Sequence, residues 1–193
     1  MRARPKTEAH DIMNAGMGSD LLAITASGED EVGLVERFTR RITEAGCNIE
    51  ESRMAVLGGQ FAILMLLSGP WNALSRIEGQ IDAIARELDL AIFCKRTRAR
   101  EAGEPLIPYQ VEAVALDHPG IVQSLASFFA AHRINIEEMA TDSYPAPHTG
   151  TAMFSVRITV GVPASTHIAS LRGDFLDYCD DLNLDATIEP ARG

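Results

Sequence analysis

Short apolar runs alternate along this chain with longer segments whose apolar residues recur at helical spacing. Residues 21–26 and 61–67 are runs of strand length. Apolar residues recur at i, i+1, i+4 and i+8 from Leu34 and at steps of three and four from Leu74, which places each set on one face of a helix. The first half therefore reads β-α-β-β-α-β, with strands at 21–26, 48–57, 61–68 and 88–95 and helices at 32–46 and from Pro70.

The same pattern occurs twice. Residues 30–35 recur as 117–122, and Asn48-Ile49-Glu50-Glu51 recurs as Asn135-Ile136-Glu137-Glu138, both at an offset of 87 positions. The helical pattern that begins at Leu74 recurs from Ile168 at an offset of 94. The second copy is therefore predicted to gain seven residues between its central strands, around residues 142–150, where the first copy has only Gly58-Gly59.

These observations predict an α+β chain of two tandem ferredoxin-like βαββαβ domains, each with its helices on one side of an antiparallel sheet. The predicted boundaries are a flexible segment at 1–19, a first domain at 20–96, a linker at 97–108 and a second domain at 109–193. We expect the helix-free faces or the edges of the sheets to be covered by the other domain or by a second chain.

A family resemblance follows from the motifs. The second copy carries Asp-x-Pro-Gly-Ile-Val at 117–122 and Asn-Ile at 135–136, and this combination resembles the ACT domain family. The first copy has Val32 where the motif has proline. Residues 46–54, 61–74 and 95–97 resemble tandem ACT proteins that repress transcription of the glycine cleavage system.

The resemblance implies an amino-acid-responsive regulator that is not an enzyme. ACT domains bind a small amino acid at a domain or subunit interface, and glycine is the first candidate here. Such repressors contact a transcriptional activator protein rather than DNA, and a homo-oligomer is expected. The alternative of the same fold is a regulatory subunit of an amino-acid metabolic enzyme. An enzyme that uses His118 and the inserted loop is a third hypothesis.

The predicted ligand site lies at the two motif loops. Each loop ends at a helix N-terminus, whose backbone N–H groups suit a carboxylate, and Gly33 and Gly120 allow a ligand to approach closely. Asp30 and Asp117 are either ligand contacts or N-caps that occupy those donors themselves.

Three further residues are candidate ligand contacts. Asn48 and Asn135 carry amides that could read either end of an amino acid, or they serve as turn residues. His118 either contacts the ligand or is a solvated loop histidine.

Composition limits the remaining functions. A formal net charge of -10 disfavours direct binding to nucleic acid. The three cysteines form no CxxC motif, the five histidines form no metal-binding pattern, and no catalytic motif is present, so neither a cofactor nor a metal is expected. No signal peptide or membrane-spanning run is recognisable, which predicts a cytoplasmic protein without membrane contact.

Overall fold

Two compact units, Met1–Glu101 and Ala102–Gly193, make up the computed structural model, which describes residues 20–99 and 103–191. The first unit contains β1 (Asp20–Glu29), α1 (Leu34–Glu44), β2 (Asn48–Leu57), β3 (Gln60–Ser68), α2 (Trp71–Leu88) and β4 (Leu90–Arg98). The second contains β5 (Leu106–Leu116), α3 (Ile121–Ala131), β6 (Asn135–Pro145), β7 (Ala152–Pro163), α4 (Ile168–Asp181) and β8 (Asp185–Pro190).

Each unit forms one four-stranded antiparallel sheet. The strand order is β2-β3-β1-β4 in the first and β6-β7-β5-β8 in the second. The first and last strands of each repeat therefore lie side by side, as in a ferredoxin-like fold. The predicted fold, two tandem α+β units of this type, is confirmed.

The helices cover one face of each sheet, and the two cores differ in kind. In the first unit, alternate residues of β1 and β3, such as Ile24 and Met65, pack under aliphatic positions of α2, including Leu74 and Ile77. In the second, rings dominate the helix contacts. Phe175 lies 5.2 Å from Phe128 and 5.5 Å from Phe129, measured between ring centroids. Such pairs add stabilisation beyond the area they bury.

Strand register corrects the predicted insertion. Phe61 pairs with Gly28 in the first sheet, and Phe154 pairs with Ala115 in the second. Gly28 and Ala115 are 87 positions apart, whereas Phe61 and Phe154 are 93 apart. The hairpin therefore gains six residues, not seven, and the seventh lies between β7 and β8. The helix period cannot locate a single added residue, whereas strand pairing can.

Several boundaries also differ from the sequence expectation. The first helix begins at Leu34 rather than at residue 32, because Gly33 is its N-cap. Strands enter the predicted 97–108 linker from both sides, since β4 ends at Arg98 and β5 begins at Leu106. The predicted flexible segment at 1–19 lies outside the described residues.

Matching β-bulges interrupt the second strand of each repeat. The register shifts between Ile49 and Glu51 in β2 and between Ile136 and Glu138 in β6. The extra residue is Glu50 in one copy and Glu137 in the other. A bulge of this kind bends an edge strand and re-aims its side chains, so the duplication extends to this irregularity.

Candidate ligand site at the second motif loop

Glycine, not aspartate, caps the helix at each motif loop. Gly33 is the N-cap of α1 with φ 87°, and Gly120 is the N-cap of α3 with φ 104°; neither helix has a side-chain cap. The alternative that Asp30 and Asp117 cap the helices is therefore wrong. The first-turn N–H groups are not occupied by a capping side chain and remain suited to an anionic ligand.

The two aspartates instead fix the motif loops to the adjacent hairpins. The Asp30 N–H donates to the Gly59 carbonyl at 2.9 Å, and the Asp117 N–H donates to the Ala152 carbonyl at 2.9 Å. The Asp117 carboxylate also accepts a hydrogen bond from the Ser143 hydroxyl at 3.1 Å. Ser143 belongs to the lengthened hairpin, so that hairpin holds the second motif loop in place.

A concavity of about 430 Å³ opens beside the second motif loop. Its polar rim comes from the loop and the first turn of α3, and its apolar wall comes from Val122, Ala126 and Phe154. The His118 ring lies at the rim, with Nδ1 3.1 Å from the Pro119 carbonyl oxygen. Backbone donors beside an apolar wall suit a small molecule that has a carboxylate at one end.

The first motif loop is closed at the equivalent positions. Arg37 forms an ion pair with Glu31 at 2.5 Å, whereas the second copy has Ser124 and His118 there. The Leu34 N–H is bonded to the Glu31 carbonyl at 3.1 Å, and within the described chain Ile121 makes no equivalent backbone bond. Phe61 is only 1% exposed, while its counterpart Phe154 is half-buried. The first copy therefore lacks the open wall of the second.

The asparagines lie at the other end of each domain. Asn48 pairs with Ser68 and Asn135 pairs with Gly161, whereas the motif loops adjoin the opposite ends of β3 and β7. Seven strand residues separate Phe154 from Gly161, which corresponds to about 23 Å. Asn135 therefore cannot touch the same small ligand as the Gly120 loop of its own domain. Its predicted role in binding stays a prediction.

Asn48 has a partner within its own domain. Its amide donates to the Glu50 carboxylate at 3.0 Å, and the Ser68 hydroxyl donates to the same carboxylate. These bonds, chiefly that from Ser68, hold the pKa of Glu50 below its usual value. In the second copy Gly161 replaces Ser68, and a Cβ there would lie 2.6 Å from the Glu137 carboxylate. The hydroxyl that binds Glu50 in the first copy therefore has no counterpart in the second, where the Glu137 carboxylate occupies the space of a Cβ at position 161.

Comparison with known proteins assigns the chain. An ACT domain model matches residues 20–95. The glycine cleavage system transcriptional repressor of Escherichia coli (strain K12) is 38% identical over 167 residues, covering 86% of this chain and 88% of the relative. The repressor of the same name from Shigella flexneri matches to the same extent.

The chain belongs to the family of glycine cleavage system transcriptional repressors.

Solved structures agree with this assignment. A crystal structure provisionally assigned as a glycine cleavage system transcriptional repressor has a TM-score of 0.70 and 26% identity, covering 91% of this chain and 99% of that chain. A protein of unknown function from Galdieria sulphuraria has a TM-score of 0.72 at 24% identity, covering 90% of this chain and 99% of its own, and shares the fold.

Sequence reasoning missed several residues of this candidate site. Val122, Ala126 and Phe154 line the concavity, and Ser143 holds Asp117. Ala126 lies 87 positions after Thr39, so the repeat offset alone could have identified it as the counterpart of Thr39. Phe154 became recognisable as the counterpart of Phe61 only once strand pairing had set the offset at 93.

The three cysteine thiols are poorly suited to act as nucleophiles. Burial raises the pKa of Cys179 to about 11 and also raises the pKa values of Cys47 and Cys94, which disfavours the reactive thiolate. Between residues 20 and 99 and between 103 and 191, no three acidic, histidine or cysteine side chains form a metal-binding group. No helix in these ranges is long and apolar enough to cross a membrane.

Proposed function

We propose that this protein is an amino-acid-responsive regulator of glycine cleavage that acts through contacts with other proteins. Membership of the repressor family supports the regulatory role. The observation that carries the proposal is the open concavity at the second motif loop, which combines helix N-terminal donors with an apolar wall. An amino acid would place its carboxylate at the first turn of α3 and its remaining atoms toward Phe154.

Glycine is the first ligand to test because the family is named for the glycine cleavage system. The wall formed by Val122, Ala126 and Phe154 leaves space for a ligand with a small side chain as well. Alanine and serine therefore belong in the same experiment. Gly33 would contribute little because the Glu31–Arg37 ion pair closes its loop.

The protein partner in this proposal is a transcriptional activator. A net charge of -10 repels the phosphate backbone of DNA at long range, which favours action through a protein rather than on the operator itself. We further propose that the protein acts in the cytoplasm and as a homo-oligomer. A regulatory subunit of an amino-acid metabolic enzyme remains the alternative, and the identity of the captured partner distinguishes the two.

Binding is best tested by calorimetry with glycine, alanine and serine on the full chain. Ala126→Leu fills the concavity from an ordinary helical position. Gly120→Val is a poorer test, because a φ of 104° strains any β-branched residue. Thr39→Leu, at the equivalent position of the first copy, is the matched control.

We expect the wild type and Thr39→Leu to bind one of these ligands, and Ala126→Leu to lose at least about tenfold in affinity. Absence of binding by the wild type at millimolar concentration, about -4 kcal/mol, contradicts the sensor role. Equal binding by all three proteins contradicts the site.

A second experiment distinguishes action through a partner protein from direct binding to DNA. Affinity capture from lysate with and without glycine should recover an activator, and the purified protein alone should not retard DNA that carries the controlled promoter. Retardation of that DNA by the protein alone would refute the indirect mechanism, and recovery of a metabolic enzyme would favour the alternative.

A further inference from the structure

The helix-free sheet face of the first domain carries an unusual arrangement of side chains. Strand pairing places Arg53, Leu64, Thr25 and Phe93 in one row across the four strands. The adjoining row contains Glu51, Leu66, Ala23 and Lys95. Each row therefore has apolar or small residues at its centre, and the second row has an acid at one end and a base at the other.

This face exposes apolar side chains that a solvated surface normally lacks. Leu64 is 53% exposed and Phe93 is 67% exposed. Both lie on the side of the sheet away from α1 and α2, because their neighbours in β3 and β4 alternate with them into the core. An exposed apolar face flanked by charges is typical of an interaction surface.

The rows are self-complementary about a two-fold axis that runs parallel to the strands between β1 and β3. That axis places Leu64 opposite Thr25 of a second copy and Leu66 opposite its Ala23, so each leucine meets a smaller residue, and it places Arg53 opposite Phe93 at the edges. Glu51 then faces Lys95 of the second copy. Aligned sheets cross at about 30°, and the long Glu and Lys side chains can span the resulting displacement at the edges.

The same rows in the second domain oppose such pairing. Their central positions hold Arg157 and Glu112, joined at 3.2 Å. An adjoining row ends in Glu138 on β6 and Glu189 on β8, so the same axis would bring like charges together. A concavity of about 190 Å³ on this face includes the Arg157–Glu112 pair in its lining. The equivalent faces are therefore apolar at the centre in the first copy and charged at the centre in the second, where the row that ends in Glu138 and Glu189 would also repel its own copy.

We propose that two copies of this chain associate through the helix-free sheet faces of their first domains. Four strands of about nine residues form a face of roughly 19 by 30 Å, so two faces bury on the order of 1,000 Å² together, near the lower end of specific interfaces. The inference specifies the interface of the homo-oligomer in the proposed function and depends on no ligand, so it can fail without affecting the sensor role.

The decisive variant places like charges opposite one another at the centre of the face. Thr25→Glu with Leu64→Glu brings carboxylates of the two copies face to face, whereas the residues found in the second domain, Glu112 and Arg157, would bring opposite charges together. The control removes the charges at the equivalent positions of the second domain, Glu112→Gln with Arg157→Gln. Sedimentation velocity across a dilution series measures the mass, with circular dichroism as the check of folding.

We expect the wild type and the control to approach twice the single-chain mass of 20.9 kDa. The Thr25→Glu/Leu64→Glu variant should raise the dissociation constant on the order of a hundredfold, because carboxylates of the two copies would be buried facing one another. A wild type that stays monomeric at every concentration, or a folded variant that dimerises like the wild type, would overturn the proposal.

Charge exchange tests the axis itself. Glu51→Lys and Lys95→Glu should each weaken self-association, because each places like charges opposite one another. An equimolar mixture of the two variants should restore a dimer, since both facing pairs are then opposite in sign. A mixture that associates no better than either variant alone would overturn the two-fold arrangement.

Discussion

The two domains share one backbone plan, down to a bulge at the same strand position, and differ in what they present at equivalent positions. At the motif loop, the first copy has an ion pair and a buried Phe61, while the second has His118, Ser124 and a half-buried Phe154. On the helix-free face the contrast is reversed. The first copy exposes Leu64 and Phe93 there, and the second presents charge.

We propose from this difference that the duplicated domains have divided their tasks. A conserved architecture fixes where a loop or a sheet face lies, but only a few side chains decide whether it is open or closed. Each copy keeps one of the two surfaces available and blocks the other with an ion pair. Glu31–Arg37 closes the first loop, and Glu112–Arg157 occupies the second face.

The largest effect is expected in the core of the second domain. Phe175→Ala removes a fully buried ring that contacts Phe128 and Phe129, and should destabilise this domain by about 3–5 kcal/mol. Hydrogen exchange read peptide by peptide should show lost protection in β5–β8 while β1–β4 keep theirs. Equal loss in both domains would show that the copies unfold as one unit.

A smaller effect concerns the lengthened hairpin. Ser143→Ala removes the hydroxyl that donates to Asp117, and should cost about 0.5–1.5 kcal/mol. The loss should appear as faster exchange at the motif loop around residue 118. Ser155→Ala is the control, because the Ser155 hydroxyl contacts only the Asp142 carbonyl at 3.5 Å. Unchanged exchange at the loop would show that the hairpin does not hold the motif loop in place.

The helix–sheet ion pairs should produce the smallest effect. Arg96 holds Glu78 through two bonds of 2.8 and 2.7 Å, which keeps the pKa of Glu78 below its usual value. In the second copy Arg172 occupies the position of Glu78 and lies 3.9 Å from Glu189, which corresponds to Lys95 rather than to Arg96. Glu78→Gln should cost about 0.5–1 kcal/mol at pH 7, and Arg172→Gln less.

The pH dependence of this effect has a definite sign. The lowered pKa of Glu78 means that its contribution is present above the ordinary carboxyl range and is lost as pH falls through the folded-state pKa. The stability difference between wild type and Glu78→Gln, measured by urea unfolding, should therefore shrink as pH falls below the ordinary carboxyl range. A difference that stays constant from pH 7 through the acid range would show that the carboxylate charge is not involved.

The sequence predicted the fold well because repeat, period and motif agreed. Spacing at Leu34 and Leu74 located the helices, and Gly58-Gly59 located the first hairpin. The site was predicted less fully. Asp30 was chosen for its place in the motif loop and Asn135 for its match to the family motif, and neither reason says whether the residue reaches a ligand. Which loop is closed depends on the Glu31–Arg37 pair and on the burial of Phe61, and neither follows from local periodicity.

For the helix-free face of the first domain, the sequence predicted only that another domain or chain would cover it. Leu64 and Leu66 belong to an apolar run, and the sequence alone reads such a run as a fully buried strand. Strand pairing was needed to show that Thr25 and Phe93 stand beside Leu64. The equivalent positions in the second domain could be compared only after the hairpin's gain of six residues, and hence the offset of 93 for β7, was known.

Hydrogen exchange during titration with glycine, alanine and serine tests the division of tasks most directly. We predict that a binding amino acid slows exchange in residues 117–126 and around Phe154, and leaves residues 30–39 and the region of Phe61 unchanged. Protection at the first motif loop, or equal protection at both, would contradict the account.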